Sequence, residues 1–147
     1  MILISHRGNL TGKEPEKENH PDHIWNAMLQ GFHVEVDVWY IGNKFKLGHD
    51  KPQYDFPFEL VKNHSNRLWL HCKNIEAMVK WYELDRRGIH VNYFWHQKDD
   101  VILTSKGYLW AYPGKDVDNS IAVLPEIHND NISNRIGICS DEILNYK

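Results

Sequence analysis

The sequence predicts an α/β protein: a shortened β/α barrel in which three clear βα units are followed by strands that largely lack helices. Three observations carry this. Strand-like and helix-like apolar patterns alternate three times up to Gly88. Beyond Gly88 the period-two runs continue but helical spacing disappears. The chain has 147 residues, enough for a single domain (1–147) but short of the about 250 residues of a full β/α barrel with its ring of helices.

Residues 2–5 form an apolar run that reads as a buried strand, and the polar stretch 9–18, with Gly12 and Pro15, reads as a loop. Ile24, Trp25, Ala27, Met28 and Leu29 have helical spacing. Asn19 or His20 can start that helix, Pro21 suits its first turn and Gly31 its end. Residues 33–39 alternate with period two and predict a strand, turned by Gly42-Asn43 into a short hairpin arm over 44–47. A short helix is predicted over 58–64 and a third strand over 68–72. Asn74 caps a helix whose apolar face is read as Ile75, Met78, Val79 and Tyr82, with Gly88 as its stop. Strands are then predicted over 90–95, 101–104, 108–111, 121–124 and 136–139.

The composition is that of an ordinary globular chain, 41% hydrophobic and 25% charged, with a formal net charge of −3. No basic field is available for nucleic acid or an anionic membrane surface, so any phosphate must be held by a few local cations or a metal. No apolar run approaches membrane-spanning length, and the N-terminal run is too short for a secretory leader. Nucleic-acid binding and membrane insertion are therefore not expected, and the expected compartment is the cytoplasm. Cys72 and Cys139 have no metal-knuckle spacing and read as reduced core thiols. Of the 10 histidines, His20, His23, His33, His64, His90 and His128 read as surface or element-end residues.

The chemistry concentrates in three short segments. His6 and Arg7 follow the first strand directly, at the end of a strand where β/α barrels carry their active sites. Glu35 and Asp37, two apart in a strand between Val34, Val36 and Val38, point to one side. Two carboxylates so placed repel each other unless a divalent cation is shared, and oxygen ligands favour Mg²⁺ or Ca²⁺. Gly48-His49-Asp50 then puts a second histidine on a loop beside the same strand.

Ser5-His6-Arg7-Gly8, Glu18-Asn19, Glu35-Val36-Asp37-Val38 and Gly48-His49-Asp50 occur in that order within the first third of the chain. In this the sequence resembles the glycerophosphodiester phosphodiesterase family, within the wider group of phospholipase-C-like barrel phosphodiesterases. Lys17 stands where that family has proline before Glu-Asn. The family's Glu-x-Lys at the end of the third strand reads His71-Cys72-Lys73 here. The resemblance covers residues 1–73 and is weak beyond. It implies a reduced TIM-like barrel and metal-dependent hydrolysis of a small, glycerophosphodiester-like substrate. His6 and His49 would be the acid–base pair, Arg7 and Lys73 the phosphate ligands, and Glu35 and Asp37 metal ligands. His71 either ligates the metal through a ring nitrogen, shifting preference toward Mn²⁺ or Zn²⁺, or hydrogen-bonds substrate while Glu18 or Glu126 completes the metal shell.

Asn19, Trp110, Glu126 and Asp141 are candidates for the substrate pocket, and Trp95, His96 and Tyr112 for its aromatic wall. The alternatives to hydrolysis are a lyase that releases a cyclic phosphate and a non-catalytic binding protein with an eroded site. The apolar strands Val91, Tyr93, Phe94, Trp95, Ile102, Leu103, Leu109, Trp110, Ile121 and Val123 lack helices to cover them, which predicts a partner chain, a homodimer by preference.

Overall fold

One curled sheet of ten strands organises the chain, seen in a computed structural model that describes residues 1–147. Strand β1 (Ile2–His6) lies at its centre, between β2 (His33–Ile41) and β10 (Gly137–Ser140), parallel to both. On one side β2 pairs with β5 (Leu68–Cys72) and β5 with β6 (Asn92–Trp95), again in parallel. On the other, β10 pairs with β9 (Ser120–Val123) and β9 with β8 (Leu109–Ala111), also in parallel. Two short strands run against this direction: β3 (Lys44–Leu47) folds back on the end of β2, and β7 (Val101–Leu103) on β8. β4 (Tyr54–Asp55) folds back on β3 in turn and so runs with the main direction.

The outer face of the sheet is covered by three helices. In α1 (Pro21–Leu29) the cap is His20, whose ring accepts from the Asp22 amide at 3.2 Å, with Pro21 at the first helical position. α2 (Glu59–His64) is a short stretch before β5. α3 (Ile75–Arg86) is capped by Asn74, which accepts from the Ala77 amide at 3.1 Å. Ile24, Met28, Leu60 and Trp81 from these helices meet Val34, Val36, Val38, Leu68 and Leu70 from β2 and β5 in the main core. The face of α3 turned inward is Ala77 and Trp81, with Met78 and Leu84 against them. The expected face was off by part of a turn: Ile75, Val79 and Tyr82 are exposed. A second core fills the inside of the curl, built from Ile4, Trp69, Phe94, Trp110, Ile121, Val123 and Cys139.

The fold corrects the expected reduced TIM-like barrel of three βα units. The α-helix is limited to segments of 9, 6 and 12 residues, with three single 3₁₀ turns besides. Between β2 and the six-residue α2 lie two strands, the expected arm β3 and the added β4. The sheet is mixed, and its edge strands β6 and β7 have no ladder between them. Ser105 and Lys106, just past β7, reach across: the Ser105 amide donates to the Tyr93 carbonyl and its Oγ accepts from the Tyr93 amide, both at 2.9 Å, and the Lys106 amide donates to Asn92 Oδ1 at 3.2 Å. The result is a half-barrel. Apolar alternation identifies a strand but not its direction, and closure needs matched tilt and register around the whole ring. A three-residue β7 turned against β8 does not supply that.

The apolar residues that motivated a covering partner are largely absorbed by the chain itself. Val91, Tyr93, Phe94, Trp110, Ile121 and Val123 are buried, while Leu103 is exposed. Cys72 and Cys139 are buried and unpaired. No helix is long and apolar enough to cross a membrane.

Candidate active site

The C-terminal ends of the parallel strands converge on one cleft of about 370 Å³, lined among others by His6, Arg7, Glu35, His49, His71 and Lys73. β1 delivers His6 and Arg7, β2 Glu35 and Asp37, β5 His71 and Lys73, and β6 leads into His96. This is the end of a parallel sheet where ligands ordinarily bind. The β2–β3 hairpin brings the Gly48-His49-Asp50 loop over the same rim. Gly48 is required there. Its φ is +148°, and a Cβ would come within 2.0 Å of the Lys51 carbonyl oxygen. Its own carbonyl accepts from the Trp39 indole at 2.6 Å.

Glu35, Asp37 and His71 form the centre. One ligand atom from each lies within 4.8 Å of the others. His71 Nε2 faces the His96 carbonyl oxygen at 3.1 Å. A carbonyl only accepts, so Nε2 carries the hydrogen, leaving Nδ1 for a proton or a cation. Nδ1 is 3.2 Å from Asp37 Oδ1 and 3.7 Å from Glu35 Oε1. Both carboxyls are essentially without solvent contact, and Glu35 Oε2 and Asp37 Oδ1 have no hydrogen-bond donor. Burial and the neighbouring Asp37 charge push the Glu35 carboxyl up from its ordinary pKa. Burial would push Asp37 up too, but His71, Arg7 and Lys73 hold it well below the usual carboxylate range. Arg7 Nε is 2.9 Å and Lys73 Nζ 3.8 Å from Asp37. Asn19, at φ +62°, clamps the same residue: its Nδ2 donates to Oδ2 at 2.8 Å and its Oδ1 accepts from the Asp37 amide at 2.9 Å.

Two buried carboxylates with orphaned oxygens beside an imidazole whose far nitrogen is fixed by a carbonyl make a donor set that fits a divalent cation. The mixed oxygen and nitrogen set also suits Mn²⁺ or Zn²⁺.

His6 sits beside this cluster, with Nδ1 2.7 Å from Asp141 Oδ1 and Nε2 3.8 Å from Glu35 Oε2. Burial lowers its pKa, but the Asp141 hydrogen bond and the Glu35 charge more than offset this, and the net shift is upward. Asp141 is held low in return, its burial outweighed by His6 and Asn9. His49 is more open and pairs with Asp50 at 2.8 Å. Its pKa is lowered, first by burial and then by Arg7. The two histidines of the cleft are thus shifted in opposite directions.

Several predicted residues hold other posts. Glu18 is not in the metal cluster; its oxygens accept from Arg7 Nη1 at 2.9 Å and Asn9 Nδ2 at 3.1 Å. Glu126 does not complete the metal shell either. Its Oε1 accepts from Ser140 Oγ and the Asp141 amide, which fixes the turn carrying Asp141. Asp141 and Asn19 orient site residues instead of lining the cleft. Trp110 lines the cleft and fills the inner core. His33 opens β2, an element-end residue as expected, and its Nδ1 accepts from the Trp69 indole at 3.1 Å; His23 lies within α1, half-buried, with Nε2 paired with Asn9 Oδ1 at 3.1 Å. The sequence reading missed Asn9, which ties Glu18 to Asp141. A single loop asparagine has no spacing that announces this.

Comparison with protein-family models, with curated proteins and with solved structures finds no match.

Proposed function

We propose that this chain is a metal-dependent phosphodiesterase that hydrolyses a small, glycerophosphodiester-like substrate. The observation that carries the reading is the convergence in one cleft of two histidines, two cations and a buried Glu35–Asp37–His71 set. Arg7 and Lys73 hold the phosphoryl oxygens, the first as a fork already braced by Glu18, the second as a point charge. His6 and His49 form the acid–base pair: one takes the proton of the attacking oxygen, a substrate hydroxyl that closes a cyclic phosphate and then the water that opens it to the monoester, and the other gives a proton to the leaving oxygen. Asp141 holds the His6 ring by Nδ1, so that Nε2 is the working atom. Glu35, Asp37 and His71 would hold the divalent ion, which polarises a phosphoryl oxygen when bound. Gly48 keeps His49 on the rim.

A second reading, a non-catalytic binding protein, draws on one feature. Asp37 is already matched by Arg7, Lys73 and Asn19 without any metal. One experiment separates the two. Bis(p-nitrophenyl) phosphate and glycerophosphodiesters are offered across Mg²⁺, Ca²⁺, Mn²⁺ and Zn²⁺, with phosphorus NMR of the products. Metal-dependent turnover to a monoester supports hydrolysis, and a cyclic phosphate makes the enzyme a lyase. Binding without turnover in any metal rejects catalysis.

A further inference from the structure

A second cavity, of about 330 Å³, adjoins the cleft and shares Arg7 and His49 with it. The rest of its wall comes from two loops. Residues 9–18 supply Lys13, Pro15 and Glu18, and residues 48–53 supply Asp50 and Lys51. The two cavities differ in kind. The main cleft runs from its charged residues to Trp95, Trp110 and Tyr112. The second has no aromatic or aliphatic wall beyond the ring of Pro15.

Three cations meet two carboxylates there, and both carboxylates are engaged. Glu18 accepts from Arg7 and Asn9. Asp50 accepts from His49 Nδ1 at 2.8 Å. Lys13 and Lys51 form no ion pair, whereas Lys17, further along the first loop, is held by Glu14 at 3.1 Å. The two free lysines stand on anchored backbone. Lys13 lies between Gly12, whose amide donates to the Asp141 carbonyl at 2.9 Å, and Glu14, whose amide donates to Asn9 Oδ1 at 3.3 Å. The Lys51 carbonyl packs on Gly48, and the Gln53 amide closes the turn onto the Leu47 carbonyl at 2.8 Å.

These surroundings select the ligand. An acyl chain would find no apolar wall. A cationic group would meet two ammonium groups whose only neighbouring carboxylates are already taken. A dianion matches two free point charges beside a guanidinium. In phosphoryl transfer the attacking and leaving oxygens stand roughly in line through phosphorus. With the phosphate at Arg7, the oxygen served by His49 is the one whose arm leads toward this cavity.

We propose that the second cavity binds a second phosphate group, carried on the substrate arm that His49 serves, with Lys13 and Lys51 as its ligands. The inference rests on the phosphodiesterase reading for the first phosphate and adds the substrate class: a phosphodiester that also bears a phosphomonoester. Lys13 and Lys51 are specificity-determining residues and take no part in proton transfer.

The test is a binding comparison that needs no turnover. n-Propyl phosphate and 1,3-propanediol bisphosphate, one chain with one or two phosphates, are titrated into the full chain by calorimetry at a fixed free Mg²⁺ concentration. The wild type is expected to prefer the bisphosphate about tenfold at low salt. The preference should shrink as salt is raised, because exposed charges are screened. Lys13→Gln combined with Lys51→Gln is expected to bring the ratio close to one while n-propyl phosphate binds as before. Lys62→Gln combined with Lys106→Gln makes the same change of charge in α2 and just past β7, away from both cavities, and should keep the wild-type ratio. Equal affinities in the wild type, an unchanged ratio in the first pair of substitutions, or an equal loss in the second pair would overturn the assignment. If bis(p-nitrophenyl) phosphate is hydrolysed while any of these holds, the phosphodiesterase reading stands and only the second phosphate site is lost. If neither compound binds, the first phosphate site fails and this inference falls with it.

Discussion

Alternate residues of β2 sit at the same depth and do opposite things. On its outer side Val34, Val36 and Val38 are fully buried against the helices. On its inner side Glu35 and Asp37 are buried just as completely, but as two carboxyls with orphaned oxygens. Burial of the valines stabilises the fold by roughly 25 cal/mol for each Å² of apolar surface removed from water. Burial of the carboxyls costs free energy, and partners must offset it. Depth of burial is therefore no guide to what a residue contributes: one face of a single strand supplies stability, and the other spends some of it on a charged pocket.

The sharpest way to separate the two faces is through the groups served by the inner one. His6→Ala and His49→Ala are each expected to lower turnover by roughly 10²–10⁴-fold, while circular dichroism shows the fold retained. A variant of either histidine that keeps most of the activity removes that residue from the acid–base pair. On the outer face, Val36→Ala deletes apolar atoms at a fully buried site. It should lower unfolding free energy by about 2 kcal/mol in urea titrations and leave kcat close to wild type. A kcat that falls in step with stability would mean that the two faces are not separable.

Glu35→Gln turns the comparison around. It removes a charge that burial and Asp37 both oppose. In EDTA the variant should melt at or above the wild-type temperature, while the rise in melting temperature that a divalent ion gives the wild type is lost. A variant that still gains stability from the ion would take Glu35 out of the metal set. The smallest effect lies in α1, at His23. His23 has a pKa below its ordinary value of 6.5, because burial outweighs the pull of Glu14. The fold thus prefers the neutral ring, so its contribution is complete above about 6.5 and declines as pH falls from there through the folded value. His23→Gln should show a shallower loss of melting temperature between pH 7 and pH 5; an unchanged slope would show that His23 does not titrate this way.

Much of this arrangement was legible in the sequence. The Val-Glu-Val-Asp-Val alternation told both the strand and its two faces, and the Gly-His-Asp turn told the second histidine. The strand runs of the second half were also visible, because large apolar residues recur at period two there. Direction was not. Nothing in the run around Val101 says that β7 lies against β8, so closure of a barrel was a wrong expectation. The inward face of α3 was misread for a similar reason. Ile75, Val79 and Tyr82 outweigh Ala77 in apolar size, yet Trp81 reaches the core and sets the helix rotation. The roles of Glu18, Glu126 and Asp141 depend on contacts between distant turns, which no local pattern records.

The hydrogen bond between His6 and Asp141 spans 135 residues of sequence, and β1 cannot pair with β10 until that last strand exists. During synthesis the N-terminal histidine, arginine and carboxylates leave the ribosome early, but the ring of His6 stays unoriented until Asp141 has emerged as well. Pairings this far apart in sequence form late and slowly. A nascent chain therefore holds the cleft's early side chains before the cleft itself exists, and His6 is oriented only when β10 docks beside β1.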